Sequence, residues 1–210
     1  MSALIFDMDG TLADTIPFIL AASHGALIEV GKDVSDATIL SYIGLPLIAT
    51  GEDFLGTGRG EEYLDLYQKH FLSAPYSPQP FPGIIEMMRD LHSAGKKLAI
   101  ATSKRQAAAE ETVAHIGVGE FFDVLVTYES NCGHKPGPGP ALKAMELLAA
   151  KPEESIFIGD SMFDINCAKN AGIASCGVTW GAADEQELRE GGATFIAHTV
   201  DQLRQILLDF

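Results

Sequence analysis

Cysteine is scarce in this chain: Cys132, Cys167 and Cys176 are the only three in 210 residues, with no C-x-x-C spacing among them. That argues against a disulfide framework or a zinc site and fits a reducing, cytoplasmic setting. Long hydrophobic runs are missing too. The longest, Ile16 to Ala22, falls far short of the ~20 apolar residues that cross a bilayer. The opening segment, MSALIFDMDG, has no basic region ahead of its short apolar stretch, so no secretory leader is expected. Basic residues are the third shortage, with 14 Lys and Arg against 29 Asp and Glu and a formal net charge of −15. Such a field repels nucleic-acid backbones and anionic membrane surfaces. Neither partner is expected, and an anionic substrate must find its cations locally.

What the chain does have is an ordinary globular composition, 47% hydrophobic and 20% charged, at a length that allows one full domain plus a small insert. Short apolar, β-branched runs read as buried strands at Ala3 to Phe6, Lys97 to Ala101, Val124 to Thr127, Ser155 to Ile158, Cys176 to Thr179 and Thr194 to Ala197. Helical patterns lie between most of them, at Pro82 to Ala94, Lys104 to Ile116 and Pro140 to Ala150. Strand alternating with helix predicts an α/β fold, a doubly wound parallel sheet of Rossmann-like type, with ligands beyond the carboxyl ends of its strands.

One interval breaks this rhythm. From Ile16 to about Ser77 there is helical periodicity and no strand signal. Its far border, Ser77-Pro78-Gln79-Pro80-Phe81-Pro82-Gly83, is stiffened into an extended hinge by its prolines. The expected organisation is a catalytic core of residues 1–14 and 82–210 with a small inserted helical cap domain at 15–81.

The chemistry-bearing residues follow predicted strands. Phe6-Asp7-Met8-Asp9-Gly10-Thr11 brings two carboxylates out of the first strand, with Gly10 allowing an immediate turn. Two crowded acids call for a counter-ion, and Mg²⁺ satisfies both charge and oxygen coordination, although an exposed turn would carry the same residues. Gly159-Asp160-Ser161-Met162-Phe163-Asp164 supplies a second acid pair at a strand end and the first turn of the next helix, where plain helix capping is the alternative reading. Thr102 and Ser103 place hydroxyls after a third strand, and Lys135 stands before a Pro- and Gly-rich turn that suits a cation holding a phosphoryl oxygen. Their joint arrangement carries more weight than any one of them.

Together these segments resemble the four motifs of the haloacid dehalogenase superfamily of phosphohydrolases, matched by Asp7-Met8-Asp9-Gly10-Thr11, Thr102, Lys135-Pro136 and Gly159 to Asp164. The helical insert, Val178-Thr179-Trp180-Gly181, Glu187-Leu188 and Gly192-Ala193 look like the phosphoglycolate phosphatase subgroup. The resemblance implies hydrolysis of a small phosphorylated metabolite, best matched by 2-phosphoglycolate, by a monomer or homodimer. It implies that Asp7 attacks phosphorus to form an aspartyl-phosphate, while Asp9, protonated at the start, gives its proton to the leaving oxygen and later activates water. It also implies that Thr102, Ser103 and Lys135 meet the substrate. The implied Mg²⁺ ligands are Asp7, Asp9 through its backbone carbonyl, Asp160 and Asp164. Two positions depart from the family pattern: Gly137 stands where an acid often follows Lys135-Pro136, and Ser103 replaces a common Asn.

Other readings are weaker on the residues. A dehalogenase has no use for Asp9. A phosphosugar mutase of this fold carries a His soon after the Asp14-Thr15 pair, where this chain has Ile19 and Leu20, with His24 later on a helical face. A pyrophosphatase of the same fold shares the motifs. Gly159-Asp160-Ser161 mimics a lipolytic nucleophile block, but no D-x-x-H follows to supply the base. A phosphoacceptor or silent binding module would be served by losing Asp9. Arg59, in Thr57-Gly58-Arg59-Gly60, reads as a solvated turn residue.

Overall fold

The structure is a computed structural model that describes residues 2–73 and 75–210. Its strands are β1 (Ala3–Phe6), β2 (Ala13–Asp14), β3 (Gln79–Pro80), β4 (Lys97–Ala101), β5 (Val124–Val126), β6 (Ser155–Gly159), β7 (Ala174–Val178) and β8 (Phe195–Ala197). Its helices are α1 (Ile16–Glu29), α2 (Asp36–Leu40), α3 (Leu47–Leu55), α4 (Gly60–Ser73), α5 (Ile84–Ser93), α6 (Gln106–Ile116), α7 (Gly139–Leu148), α8 (Met162–Ala171), α9 (Glu185–Glu190) and α10 (Val200–Asp209).

β1 reads Ala-Leu-Ile-Phe and is buried along its whole length, as a central parallel strand covered on both faces must be. Alternate side chains take opposite sides. Leu4 and Phe6 join a core with Ile84, Met87, Met88 and Leu91 of α5 and Leu203 and Leu207 of α10. Ala3 and Ile5 join a second core with Phe157, with Ala141, Ala144 and Met145 of α7, and with Cys167 of α8. Truncating fully buried Phe157 to Ala in such a layer costs about 3–5 kcal/mol.

Six strands pair in the order β5-β4-β1-β6-β7-β8, all parallel. The chain winds outward from β1 through β4 to β5, then returns to β6 on the other side of β1 and continues to β7 and β8. The order therefore reverses between β1 and β6, and a crevice opens at the carboxyl ends of those two strands. Asp7 and Asp160 stand at that switch point.

The strand limits shift by a few residues from the sequence expectation. β5 stops at Val126 because Thr127 turns away to cap the next turn, where Ser130 Oγ accepts from the Thr127 N–H. β7 begins at Ala174, in register with Ile156 of β6. The short antiparallel ribbon β2–β3, pairing Ala13 with Pro80 and Asp14 with Gln79, is not evident in the sequence. It clasps the two chain crossings that flank the insert, and its prolines suit a two-residue edge that needs few N–H donors. The insert itself is helical as expected. α1 and α3 pack against α4 around a core of its own that includes Ala22, Leu27, Phe54, Tyr63 and Tyr67.

Candidate active site

Three of the acids converge. Asp7 leaves β1, Asp160 leaves β6 and Asp164 lies in the first turn of α8, and all three are buried with ligand-capable oxygens within 4.8 Å of one another. The local sequence makes this possible. Gly10, at φ 75°, turns the chain directly above Asp160, and a Cβ there would come within 2.2 Å of an Asp160 carboxylate oxygen. Asp160 is oriented by the Thr11 hydroxyl (2.9 Å) and the Ala182 N–H (2.7 Å), and the Trp180 indole donates to the Thr11 carbonyl (3.2 Å) to hold that loop.

Lys135 is the cation within this cluster. Its Nζ donates to Asp7 Oδ1 and Asp164 Oδ1, both at 2.7 Å, and the side chain is almost fully buried. The missing acid after Pro136 therefore leaves Lys135 with two carboxylates to orient it. Asp164 is held in turn by the Ser161 hydroxyl (2.6 Å) and N–H (3.1 Å), so its second oxygen caps α8. The capping reading therefore holds for the same residue whose other oxygen meets Lys135.

One lysine does not balance three buried carboxylates. Burial first, then Asp164, Asp160 and Asp9, hold the Asp7 carboxyl well above its ordinary value against the pull of Lys135. Burial and then Asp164 push Asp160 up to about 7, against the Ala182 and Thr11 hydrogen bonds and Lys135. Burial opposes the charge on Lys135, but Asp164 and Asp7 outweigh it and hold its pKa above the ordinary value. An all-oxygen set short of positive charge fits a hard divalent cation such as Mg²⁺.

The Asp9 carboxylate stands outside this group. Its Oδ1 accepts from Lys104 Nζ (2.5 Å) and from the Thr15 hydroxyl (2.7 Å). Both contacts are donors to the same oxygen, so Asp9 Oδ1 serves as an acceptor in the free protein. Lys104 is a cavity-lining cation that the sequence motifs do not include, although a basic side chain two residues after a strand-end Thr, in so acidic a chain, was a usable signal. Burial opposes its charge, but Asp9 and Tyr76 outweigh this and raise its pKa.

The two hydroxyls part company. Thr102 is buried at the end of β4 and its Oγ1 accepts from the Lys104 N–H (3.2 Å). Ser103 donates its hydroxyl to the Gly44 carbonyl of the insert (2.5 Å), which commits that proton to a link between core and insert. Asp7, Asp9, Thr102, Ser103, Lys104 and Lys135 nevertheless all line one cavity of about 420 Å³, closed on its far side by the insert. His24 pairs with Asp36 (2.6 Å), and Arg59 makes a two-pronged contact with Glu62 (both 2.7 Å); neither lines the cavity.

A carboxylate cluster at the switch point of a doubly wound sheet, facing a cavity that holds two lysines and a threonine, defines an α/β enzyme equipped to handle an anionic group. The chain belongs to the haloacid dehalogenase-like hydrolases, whose family profile matches residues 4–178. It is 32% identical to a phosphoglycolate phosphatase of Aquifex aeolicus over 86% of each chain. It is also 32% identical to the pyrophosphatase PpaX of Halalkalibacterium halodurans, over 99% of this chain and 97% of that one. Among solved structures, a haloacid dehalogenase-like hydrolase from Streptococcus pneumoniae superposes with a TM-score of 0.86 at 27% identity, covering 98% of each chain. No described helix is long and apolar enough to cross a membrane.

Proposed function

We propose that this hydrolase is a Mg²⁺-dependent phosphatase that cleaves a small phosphomonoester through an aspartyl-phosphate on Asp7. The observation that carries the reading is the shared cavity, which holds a nucleophilic carboxylate, a second carboxylate and two lysines on one wall. An Asp7 oxygen attacks phosphorus, the ester P–O bond breaks, and Asp9 gives a proton to the departing alkoxide. Water then attacks the same phosphorus, Asp9 takes its proton, and Asp7 is released with inorganic phosphate. The net change is ester plus water to alcohol plus phosphate.

Thr102 and Lys135 meet the phosphoryl oxygens, so charge that spreads over them in the transition state finds fixed donors. Lys104 has two tasks. It holds Asp9 in the free enzyme, and once substrate is bound it turns to the phosphoryl group, leaving Asp9 to take up the proton it will transfer. Ser103 serves the closed position of the cap through Gly44. Asp7, Asp160 and Asp164 would hold Mg²⁺, with the Asp9 carbonyl as a further oxygen. When bound, the ion supplies neutralising charge to nucleophile and phosphate.

Residues 15–81 act as the cap over a core of 1–14 and 82–210. 2-Phosphoglycolate is the substrate that the resemblance favours, with pyrophosphate behind it, and the names of the two relatives follow the same pair. A mutase reading is disfavoured because His24 is turned to Asp36 and away from the cavity. The acidic charge and the free thiols favour a cytoplasmic enzyme acting on a free metabolite, as a monomer or homodimer. Phosphate release from a panel of phosphomonoesters and pyrophosphate, with Mg²⁺ or EDTA, tests the proposal. Release should require the metal and disappear in Asp7→Asn; full activity of that variant would refute it.

A further inference from the structure

The wall of the cavity opposite the acids is made by the insert, and it is mostly apolar. Ile19 of α1, Ile43 and Leu45 of the following loops, Leu47 of α3, and Leu64 and Phe71 of α4 all face it. The insert holds five basic or imidazole side chains, and each is engaged elsewhere. Arg59 is held by Glu62 and the Leu55 carbonyl, Lys69 by Glu29 (2.7 Å), and Lys32 by the Phe54 carbonyl. His24 is held by Asp36 and His70 by Glu29. None of the five lines the cavity. Tyr67 and Gln68 do line it; burial holds the Tyr67 phenol well above its ordinary value, so both are neutral groups that can donate a hydrogen bond and carry no charge.

The core side offers little more to a second anion. Lys135 and Lys104 are bound to Asp7, Asp164 and Asp9, in the position where the phosphoryl group itself must lie. Arg105 also lines the cavity but is exposed to solvent, 5.9 Å from the centre of the Tyr128 ring, and Glu111 lines the same cavity with the opposite charge. Tyr128 has His134 stacked on it at 4.5 Å in addition to this arginine. A carboxylate or second phosphate on the substrate would leave water for a wall that offers it no cation, only the neutral Gln68 and Tyr67, which is costly. An apolar group would gain by the same transfer. The volume of about 420 Å³ falls in the range that encloses drug-sized ligands, well beyond the need of a two-carbon acid.

We infer that the preferred substrate is the phosphate monoester of an apolar alcohol or phenol, whose hydrocarbon part fills the cavity against the insert, and neither 2-phosphoglycolate nor pyrophosphate. This inference rests on the phosphatase reading above and keeps its reaction unchanged. The inferred specificity comes from the leaving group and the basal chemistry from the acids.

The test uses the full native chain with Mg²⁺ and measures kcat/KM for ethyl, butyl and hexyl phosphate beside 2-phosphoglycolate and pyrophosphate. Each added methylene is expected to raise kcat/KM by about fourfold until the cavity is filled, and both compounds that carry a second anionic group should fall below butyl phosphate. Leu47→Arg, which puts a cation on the apolar wall, should flatten the alkyl series and raise turnover of 2-phosphoglycolate. Because the series runs on unaltered protein, it stands even if that variant does not fold. A flat or falling series, with 2-phosphoglycolate or pyrophosphate preferred, overturns the substrate class and leaves the phosphatase intact. No phosphate release from any compound, and no Asp7-dependent phosphoenzyme by intact mass, overturns the phosphatase reading and this inference together.

Discussion

Raising the pH of the metal-free protein from about 5 to about 8 should destabilise it, because the buried acids are asked to ionise around a single lysine. Asp160 shows the size of the effect. Its carboxyl rises from 3.8 to about 7 on folding, so the folded form keeps a proton that the unfolded form gives up. The stabilisation this proton provides is complete below the unfolded value and is lost as pH climbs through the folded one. The full loss is about 4 kcal/mol, and about 2–3 kcal/mol of it falls between pH 5 and pH 8. Asp7 is displaced in the same direction and adds to the slope. Mg²⁺ should offset it, since the ion binds the ionised carboxylates of the folded state and competes with protons least at the higher pH. Equilibrium urea unfolding at the two pH values, in EDTA and in Mg²⁺, measures the effect. Subtracting the same data for Asp160→Asn removes the contributions of other carboxylates such as Glu29 and Glu62, whose partners lower them. A native protein whose stability in EDTA rises with pH relative to Asp160→Asn, or whose slope ignores Mg²⁺, would refute the account of an acid cluster short of positive charge.

Three further outcomes follow from the same geometry. Lys135→Met leaves Asp7 and Asp164 without their shared donor and should cost about 3–5 kcal/mol in EDTA at the higher pH; the loss should shrink at the lower pH, where the acids take protons, and denaturation curves showing no difference from native would contradict it. Asp9→Asn should slow both chemical steps while leaving Asp7 able to accept the phosphoryl group, so intact-mass spectrometry should find a phosphoenzyme adduct, and the absence of any adduct counts against Asp9 as the residue that activates water. Lys104→Met removes the cation that contacts Asp9 and should lower kcat/KM by about 100–1,000-fold while leaving Mg²⁺ stabilisation intact; unchanged kinetics would show that the lysine has no part in the reaction.

The difference between what was legible and what was not lies in the distance over which a residue finds its partners. The strands were visible because a fully covered strand must be apolar along its length, as in Ala3 to Phe6 and Ser155 to Ile158. The acid pairs were visible because each follows such a strand. Ser103 is expected to meet substrate and lines the cavity, but its hydroxyl also meets Gly44, a partner 59 residues away that no local pattern announces. The β2–β3 ribbon was hidden for the same reason, since two residues are too few for periodicity to register. Lys104 was seen only as the start of a helix, and its tie to Asp9 spans 95 residues.

The sequence by itself determined the parallel sheet, the helical insert and the identities of the acids, hydroxyls and Lys135 at the strand ends, because hydrophobic period and strand-end chemistry are written locally. Tertiary structure alone decided that one lysine is shared by Asp7 and Asp164, that Lys104 holds Asp9, and that the described residues of the insert turn mostly hydrocarbon and no cation toward the cavity. Those outcomes depend on which side chains burial forces together, and in a low-dielectric interior a few ångströms decide whether two charges are partners or strangers.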